Sequence, residues 1–338
     1  MKLDGGIGAN LASAASDAQK AENDGYDGAW ASETGGHDPF FALLLAAEHT
    51  ERIELGTGIV VAFGRTPMIV AGQAWDLNHF SRGRFLLGLG SQIKPHIEKR
   101  YSMPWSHPAP RMREFISAMR AIWDSWQNGT KLDFRGDFYT HTLMTPFFMP
   151  GPNEYGAPRV LLAAVGEGMT RVAGEVADGL LVHGFTTERY LREVTVPAIH
   201  AGLAASGRNR DQFEVSYPAF VVAGDTEEQM VAAMDGTRKQ IAFYGSTPAY
   251  RPVLELHGWG DLQTELNTLS KQGQWDEMSR RIDDEILNAF AVVGSPEQIP
   301  ALLMRRFGDL VDRISLYRPY QDGGGDVVPR IMAGLKNI

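Results

Sequence analysis

The chain contains no cysteine. That absence removes disulfides, thiolate nucleophiles, iron–sulfur clusters and cysteine-based zinc sites. Long apolar runs are missing too: the strongest, Phe40 to Ala47, is far too short for a bilayer core about 30 Å thick. The start, Met1-Lys2-Leu3-Asp4-Gly5-Gly6, has no apolar signal core, so the expectation is a soluble cytoplasmic protein with no membrane partner. Positive charge is in short supply. The 32 Lys and Arg are outnumbered by 41 Asp and Glu, for a net charge of −9, and the cations are scattered rather than striped. A chain of that sign repels a phosphate backbone, which argues against nucleic acid as a partner. Several catalytic signatures are also missing. There is no HExxH, no GxSxG nucleophile elbow and no Walker A loop, and His96-Ile97-Glu98 lacks the two cysteines of a zinc deaminase, so no metal is expected.

What remains is an ordinary globular composition, 43% hydrophobic and 22% charged over 338 residues, enough for a large core and long enough for one (β/α) barrel with insertions. Apolar runs and helix-period segments alternate. Strands are expected at Leu3 to Gly8, Gly28 to Ser32, Ile53 to Phe63 and Arg84 to Gly90, separated by helices. Asn10, Asp38-Pro39 and Thr66-Pro67 supply the helix starts, a capping side chain with or without a first-turn proline. An irregular loop, Ser91 to Pro110, a helix, Arg111 to Trp126, and a hairpin around Arg135-Gly136-Asp137 then interrupt the pattern. It resumes with strands at Val160 to Ala164, Leu180 to Val182 and Phe213 to Ala223, a helix from Thr187 to Ala205, a long mixed segment from 243 to 311, and a last strand at Arg313 to Tyr317. Counting gives eight strands, so the expected fold is an α/β class (β/α)8 TIM barrel, one domain over 1–338, with insertions after strands 4 and 7. In such a barrel the chemistry sits at the C-terminal ends of the strands.

Arg159 to Gly184 reads as strand, tight turn, helix and parallel strand. Its turn, Gly166-Glu167-Gly168, leaves backbone N–H groups free at a helix N-terminus, where the dipole also favours an anion. It reads as a phosphate cradle without a lysine, the alternative for the turn by itself being two glycines that merely make a short βα loop. The dinucleotide fingerprint is not met, because Arg171 stands where its third glycine would be. Glu33 and His37 follow strand 2, His96 follows strand 4 and His183 follows strand 6, so these four are the catalytic candidates. His96 ranks first as proton donor, since its loop is wide enough to fold over a ligand. The loops Ser91 to Pro110 and Phe243 to Gly260 are expected to shape the pocket of a small organic, partly apolar substrate.

Assembled, the segments Arg52 to Ile59, Gly83 to Gly90, Arg113-Glu114-Phe115 with Ala121-Ile122-Trp123, and Phe134 to Tyr139 resemble the luciferase-like flavin and deazaflavin oxidoreductases. Gly90 to Glu98, Met103-Pro104-Trp105, Leu143 to Phe148 and Leu181 to Thr187 are similar to the branch that uses coenzyme F420, a deazaflavin. The resemblance implies hydride transfer between coenzyme F420 and an organic substrate. It also implies a cofactor site made of Gly58, Ile59, Lys94, Ala164, Val165, Gly166, Glu167, Gly168, Met169, His183 and Gly184, with a non-proline cis peptide at Gly58-Ile59. Lys99 and Arg100 join Lys94 as cations for an acidic cofactor tail. The chain departs from the deazaflavin sugar dehydrogenases at Thr34, which matches their histidine, and this shifts the proton role toward His37 or His96. The alternatives are an FMN-dependent monooxygenase and a non-catalytic cofactor-binding barrel, and a homo-oligomer is compatible with each.

Overall fold

Every residue of Phe85–Gly90 is buried, which marks a parallel strand covered on both faces. The computed structural model describes residues 1–8, 10–33, 36–320 and 326–338, so Thr34 lies outside the described residues. Its strands are β1 (Lys2–Gly6), β2 (Gly28–Ala31), β3 (Glu54–Thr57), β4 (Val60–Val61), β5 (Phe85–Gly90), β6 (Phe134–Arg135), β7 (Thr140–His141), β8 (Arg159–Ala164), β9 (Gly179–Val182), β10 (Glu214–Val222), β11 (Ala291–Val293) and β12 (Arg313–Tyr317). Parallel pairing runs β1, β2, β3, β5, β8, β9, β10, β12 and back to β1. Taking β3 with its continuation β4 as one strand, this is the closed eight-stranded barrel with flanking helices that the sequence pattern calls for.

The expected helix starts form at the positions their caps indicate. Asn10, Asp38 and Thr66 accept from the backbone N–H groups of Ala12, Phe40 and Ile69, with Pro39 and Pro67 in the first turns of the latter two helices.

One irregularity in the barrel shapes the site. β5 pairs Leu86 with Gly56 and Leu89 with Val60, so three residues on one side face two on the other. That is a one-residue bulge. It contains the cis peptide Gly58-Ile59. Thr57 fills the gap in the ladder, its hydroxyl both donating to Gly88 O and accepting from Gly88 N–H at 2.8 Å. Gly88 has to be glycine, because a Cβ there would sit 1.8 Å from Thr57 O.

Both insertions fall where expected, with differences in detail. After β5 the segment expected as an irregular loop contains a helix, Lys94–Lys99, and the next helix begins at Pro108 rather than Arg111. Proline opens both, an N-terminal signal that a loop-like composition conceals. β6 and β7 form the expected antiparallel hairpin. After β10 come helices Glu227–Gly245, Arg251–Leu256, Gly260–Lys271, Trp275–Arg280 and Asp284–Phe290. They bury Ile241, Val253, Leu254, Leu266 and Met278 with Phe185 and Phe220, in a hydrophobic cluster beside the main core. β11 then adds to the C-terminal half of β10. No helix among the described residues is long and apolar enough to cross a membrane.

The N-terminal end of the barrel is tied by charge. Arg313 of β12, fully buried, makes a two-pronged bond to Asp4 of β1 at 2.8 and 2.6 Å and a further ion pair to Glu54 of β3. Three strands are thereby held at one point.

Candidate functional site

β8 ends at Ala164, and exposed Val165 leads into Gly166, which has φ of +80° and stands at the N-terminus of helix Glu167–Val176. No side chain caps this helix. The first N–H groups, those of Glu167, Gly168 and Met169, have no acceptor within the helix. A Cβ built at Gly166 or Gly168 would meet nothing within 4 Å. The turn is therefore an open cradle of backbone donors at the positive end of a helix dipole.

The neighbouring strand β9 leads to His183 and Gly184. Phe185 N–H donates to His183 Nδ1 at 3.0 Å. Nε2 lies 3.1 Å from the Tyr250 hydroxyl, and the Tyr250 ring stacks on the imidazole with centroids 4.6 Å apart. Tyr244 meets the same imidazole edge-on at 4.7 Å and shares a 3.0 Å hydroxyl contact with Tyr317, the last residue of β12. Burial pushes the His183 imidazole down to about 4, so the ring is neutral at pH 7. Burial pushes the Tyr250 phenol up to about 12. It raises Tyr317 as well, with the Tyr244 hydrogen bond adding to the effect.

Tyr244 and Tyr250 come from the insertion after β10, and the sequence reading does not single them out. The signal that could have found them is the aromatic, proline-containing stretch from Phe243 to Tyr250, inside a loop already assigned to the pocket. A second tie fixes that insertion: His257 Nε2 lies 2.8 Å from the Thr187 hydroxyl, and its ring stacks on Trp259.

The remaining candidates are spread out. Glu33 is buried, and its carboxylate accepts from Val61 N–H at 2.7 Å, from Arg65 and from the Tyr101 hydroxyl at 2.9 Å. Arg65 also binds Asp38 at 3.0 Å. Glu33 thus clamps the continuation of the bulged strand to the loop that follows β2. His37 is exposed, and no hydrogen bond of its side chain occurs among the described residues. His96 is exposed on helix Lys94–Lys99, where Ile97 is the buried anchor. Lys94 stands 3.8 Å from Glu98, and the Arg100 guanidinium lies over Tyr101. Gly58 is exposed at the bulge and Ile59 is half-buried against Gly90. No hydrogen bond or ring contact joins His37 or His96 to His183 among the described residues. A cleft of about 440 Å³ lined by Met1, Lys2, Asp27, Glu214 and Asp312 lies at the opposite, N-terminal end of the barrel.

Known proteins resemble this chain in sequence and in fold. The family model described as luciferase-like monooxygenase matches residues 3–313. An uncharacterised protein of Mycobacterium tuberculosis is 60% identical over 314 residues, 93% of this chain and 92% of that protein. The 5,10-methylenetetrahydromethanopterin reductase of Archaeoglobus fulgidus is 28% identical over 288 residues, 82% of this chain and 81% of the reductase. Among solved structures, the coenzyme F420 dependent tetrahydromethanopterin reductase from Methanopyrus kandleri superposes with a TM-score of 0.79 at 21% identity, covering 98% of this chain and 97% of that one.

Proposed function

The chain belongs to the luciferase-like monooxygenase family, and from that premise we propose that it is a coenzyme F420-dependent oxidoreductase acting on a small organic electrophile. The observation that carries this reading is the open turn at Gly166 and Gly168. A phosphodiester needs close approach to backbone N–H groups and free space on both sides, and a Cβ at either glycine would meet nothing. Of the relatives, methylenetetrahydromethanopterin reductase supports a reductase and the coenzyme F420 dependent reductase supports the deazaflavin, while an FMN-bound Baeyer-Villiger monooxygenase among the matching folds keeps FMN as the second reading.

In this reading Ala164, Val165, Gly166, Glu167, Gly168 and Met169 hold the phosphate, Gly58 and Ile59 support the ring, and His183 and Gly184 border it. Lys94, with Lys99 and Arg100, meets the acidic tail; all three are exposed on or just after helix Lys94–Lys99. When bound, the deazaflavin supplies two-electron hydride chemistry at its ring carbon. The protein orients the partners, excludes water and supplies a proton. Glu33 is occupied in the Arg65 clamp, and His37 and His96 face solvent, so the half-buried group around His183 is the part of the mouth suited to polar contact with a substrate.

A titration of the apoprotein with coenzyme F420 and with FMN, at low and moderate salt, tests the proposal. Micromolar or tighter F420 binding that weakens with salt is expected, with FMN much weaker. Tight FMN binding accompanied by oxygen consumption would make the chain a flavin monooxygenase instead.

A further inference from the structure

The His183 ring fixes where a proton can be found at the barrel mouth. Nδ1 accepts the Phe185 N–H, and a ring nitrogen that accepts carries no hydrogen. The neutral imidazole therefore bears its hydrogen on Nε2, which faces the Tyr250 hydroxyl oxygen at 3.1 Å. With that oxygen accepting from Nε2–H, the hydroxyl hydrogen of Tyr250 points elsewhere, and no other partner takes it among the described residues. The rings packed on Tyr250 are those of His183 and Phe185 from the end of β9 and Tyr244 from helix Glu227–Gly245. The result is a phenol held by its aromatic neighbours and one hydrogen bond, with its proton unspent.

We infer that Tyr250 is the residue that hands a proton to the substrate, oriented by His183 as a positioning residue, an assignment that rests on the hydride-transfer reading above. The substrate class that fits is an uncharged carbonyl, or an alkene conjugated to one. Its carbon receives the hydride from the reduced deazaflavin. The π pair moves to oxygen, and oxygen takes the Tyr250 hydroxyl proton, so the organic molecule gains two electrons and two hydrogens while the cofactor is oxidised by two electrons. The phenolate left behind is stabilised by the His183 Nε2–H and recovers its proton from water, which reaches the half-buried Tyr250 ring. A histidinium could not replace it here, because burial keeps His183 neutral.

The test combines the protein alone with turnover. In full-length apoprotein labelled with 15N histidine, His183 is expected as the neutral Nε2–H tautomer at pH 7, with its Nε2 resonance displaced in Tyr250→Phe. Tyr250→Phe preserves the ring stack, so reduced F420 should bind within about 3-fold of wild type, while single-turnover reduction of 2-cyclohexen-1-one falls by about 100-fold. His183→Gln, whose amide still offers an N–H toward Tyr250, should retain more of the rate than His183→Leu, with KM for the probe nearly constant. An Nδ1–H tautomer or an imidazolium at pH 7 would overturn the assignment, as would a Tyr250→Phe rate within about 3-fold of wild type. Failure of the wild type to bind reduced F420 would count against the functional reading instead. The tautomer, read on the apoprotein, would still decide whether His183 can orient Tyr250.

Discussion

Burial of His183 gives one side chain a measurable effect on stability. Its imidazole titrates at about 4 in the fold, against 6.5 when unperturbed. Between these values the unfolded chain binds more protons, so this contribution to stability is complete above pH 6.5, declines as pH falls from 6.5 toward 4 and is gone below 4. The loss from this residue is at most about 3 kcal/mol, less whatever the ring's partial access to water returns. Urea midpoints of the wild type should therefore fall more steeply from pH 6.5 to 4 than those of His183→Gln; parallel curves would show that the ring is not held neutral. Gly168 gives the complementary case, a residue that in the proposed reading matters to the ligand and not to the fold. It is exposed, and a Cβ at this position would meet nothing within 4 Å, so Gly168→Val should keep its melting temperature within about 1.5 °C, the shift that roughly 1 kcal/mol produces in a chain of this size. F420 affinity should drop at least 10-fold, because the branched side chain occupies the approach to the N–H groups. Unchanged affinity would take the turn out of the cofactor site.

Among the elements, the bulge between β3 and β4 and the Glu33 clamp act together. Glu33 binds the Val61 N–H directly and is held by Arg65, which follows the bulged strand by four residues. Both side chains are mostly buried, at 9% and 14% exposure. Removing the cation leaves Glu33 and Asp38 without a counter-charge in low dielectric, so Arg65→Met should cost about 3–5 kcal/mol in urea unfolding. Arg65→Lys should recover only part of it, since an ammonium cannot span both carboxylates as the guanidinium fork does. Equal stability of Arg65→Met and wild type would mean that the clamp is not structural. Elements of this kind also mark how far the sequence can be read. Asp38-Pro39 and Thr66-Pro67 announce their helices because a cap is a local event, and the barrel strands announce themselves as apolar runs. β11 does not, because three residues following directly on a helix have no period of their own. Glu33 reads as a free carboxylate at a strand end because its partner stands 32 residues away. Tyr250 sits in an aromatic, proline-containing stretch that marks it for the pocket, but its contact with His183 spans 67 residues and is purely tertiary, so its partner is not legible.

Across the whole molecule the two ends of the barrel divide the work. At the N-terminal end, Arg313 joins Asp4 and Glu54 in a buried cluster that pins β12, β1 and β3, the end of such barrels that serves stability. Arg313→Met should destabilise by about 3–5 kcal/mol, because Asp4 stays buried without its partner, yet the folded fraction should bind F420 with wild-type affinity. Altered affinity would show that the two ends are coupled. At the C-terminal end lie the open Gly166 turn, the Gly58-Ile59 bulge and the aromatic group around His183, each delivered by a different strand. The overall barrel is legible in sequence because eight apolar runs alternate with helices, whereas the grouping at its mouth depends on which insertions fold back onto it. The most direct measurement of the central claim is a crystal structure of the chain soaked with coenzyme F420. The expected result is the cofactor phosphate within about 3.2 Å of the Glu167, Gly168 or Met169 N–H groups and the ring resting on Gly58-Ile59. A phosphate bound elsewhere, or a ring at the N-terminal cleft beside Lys2 and Asp312, would contradict it.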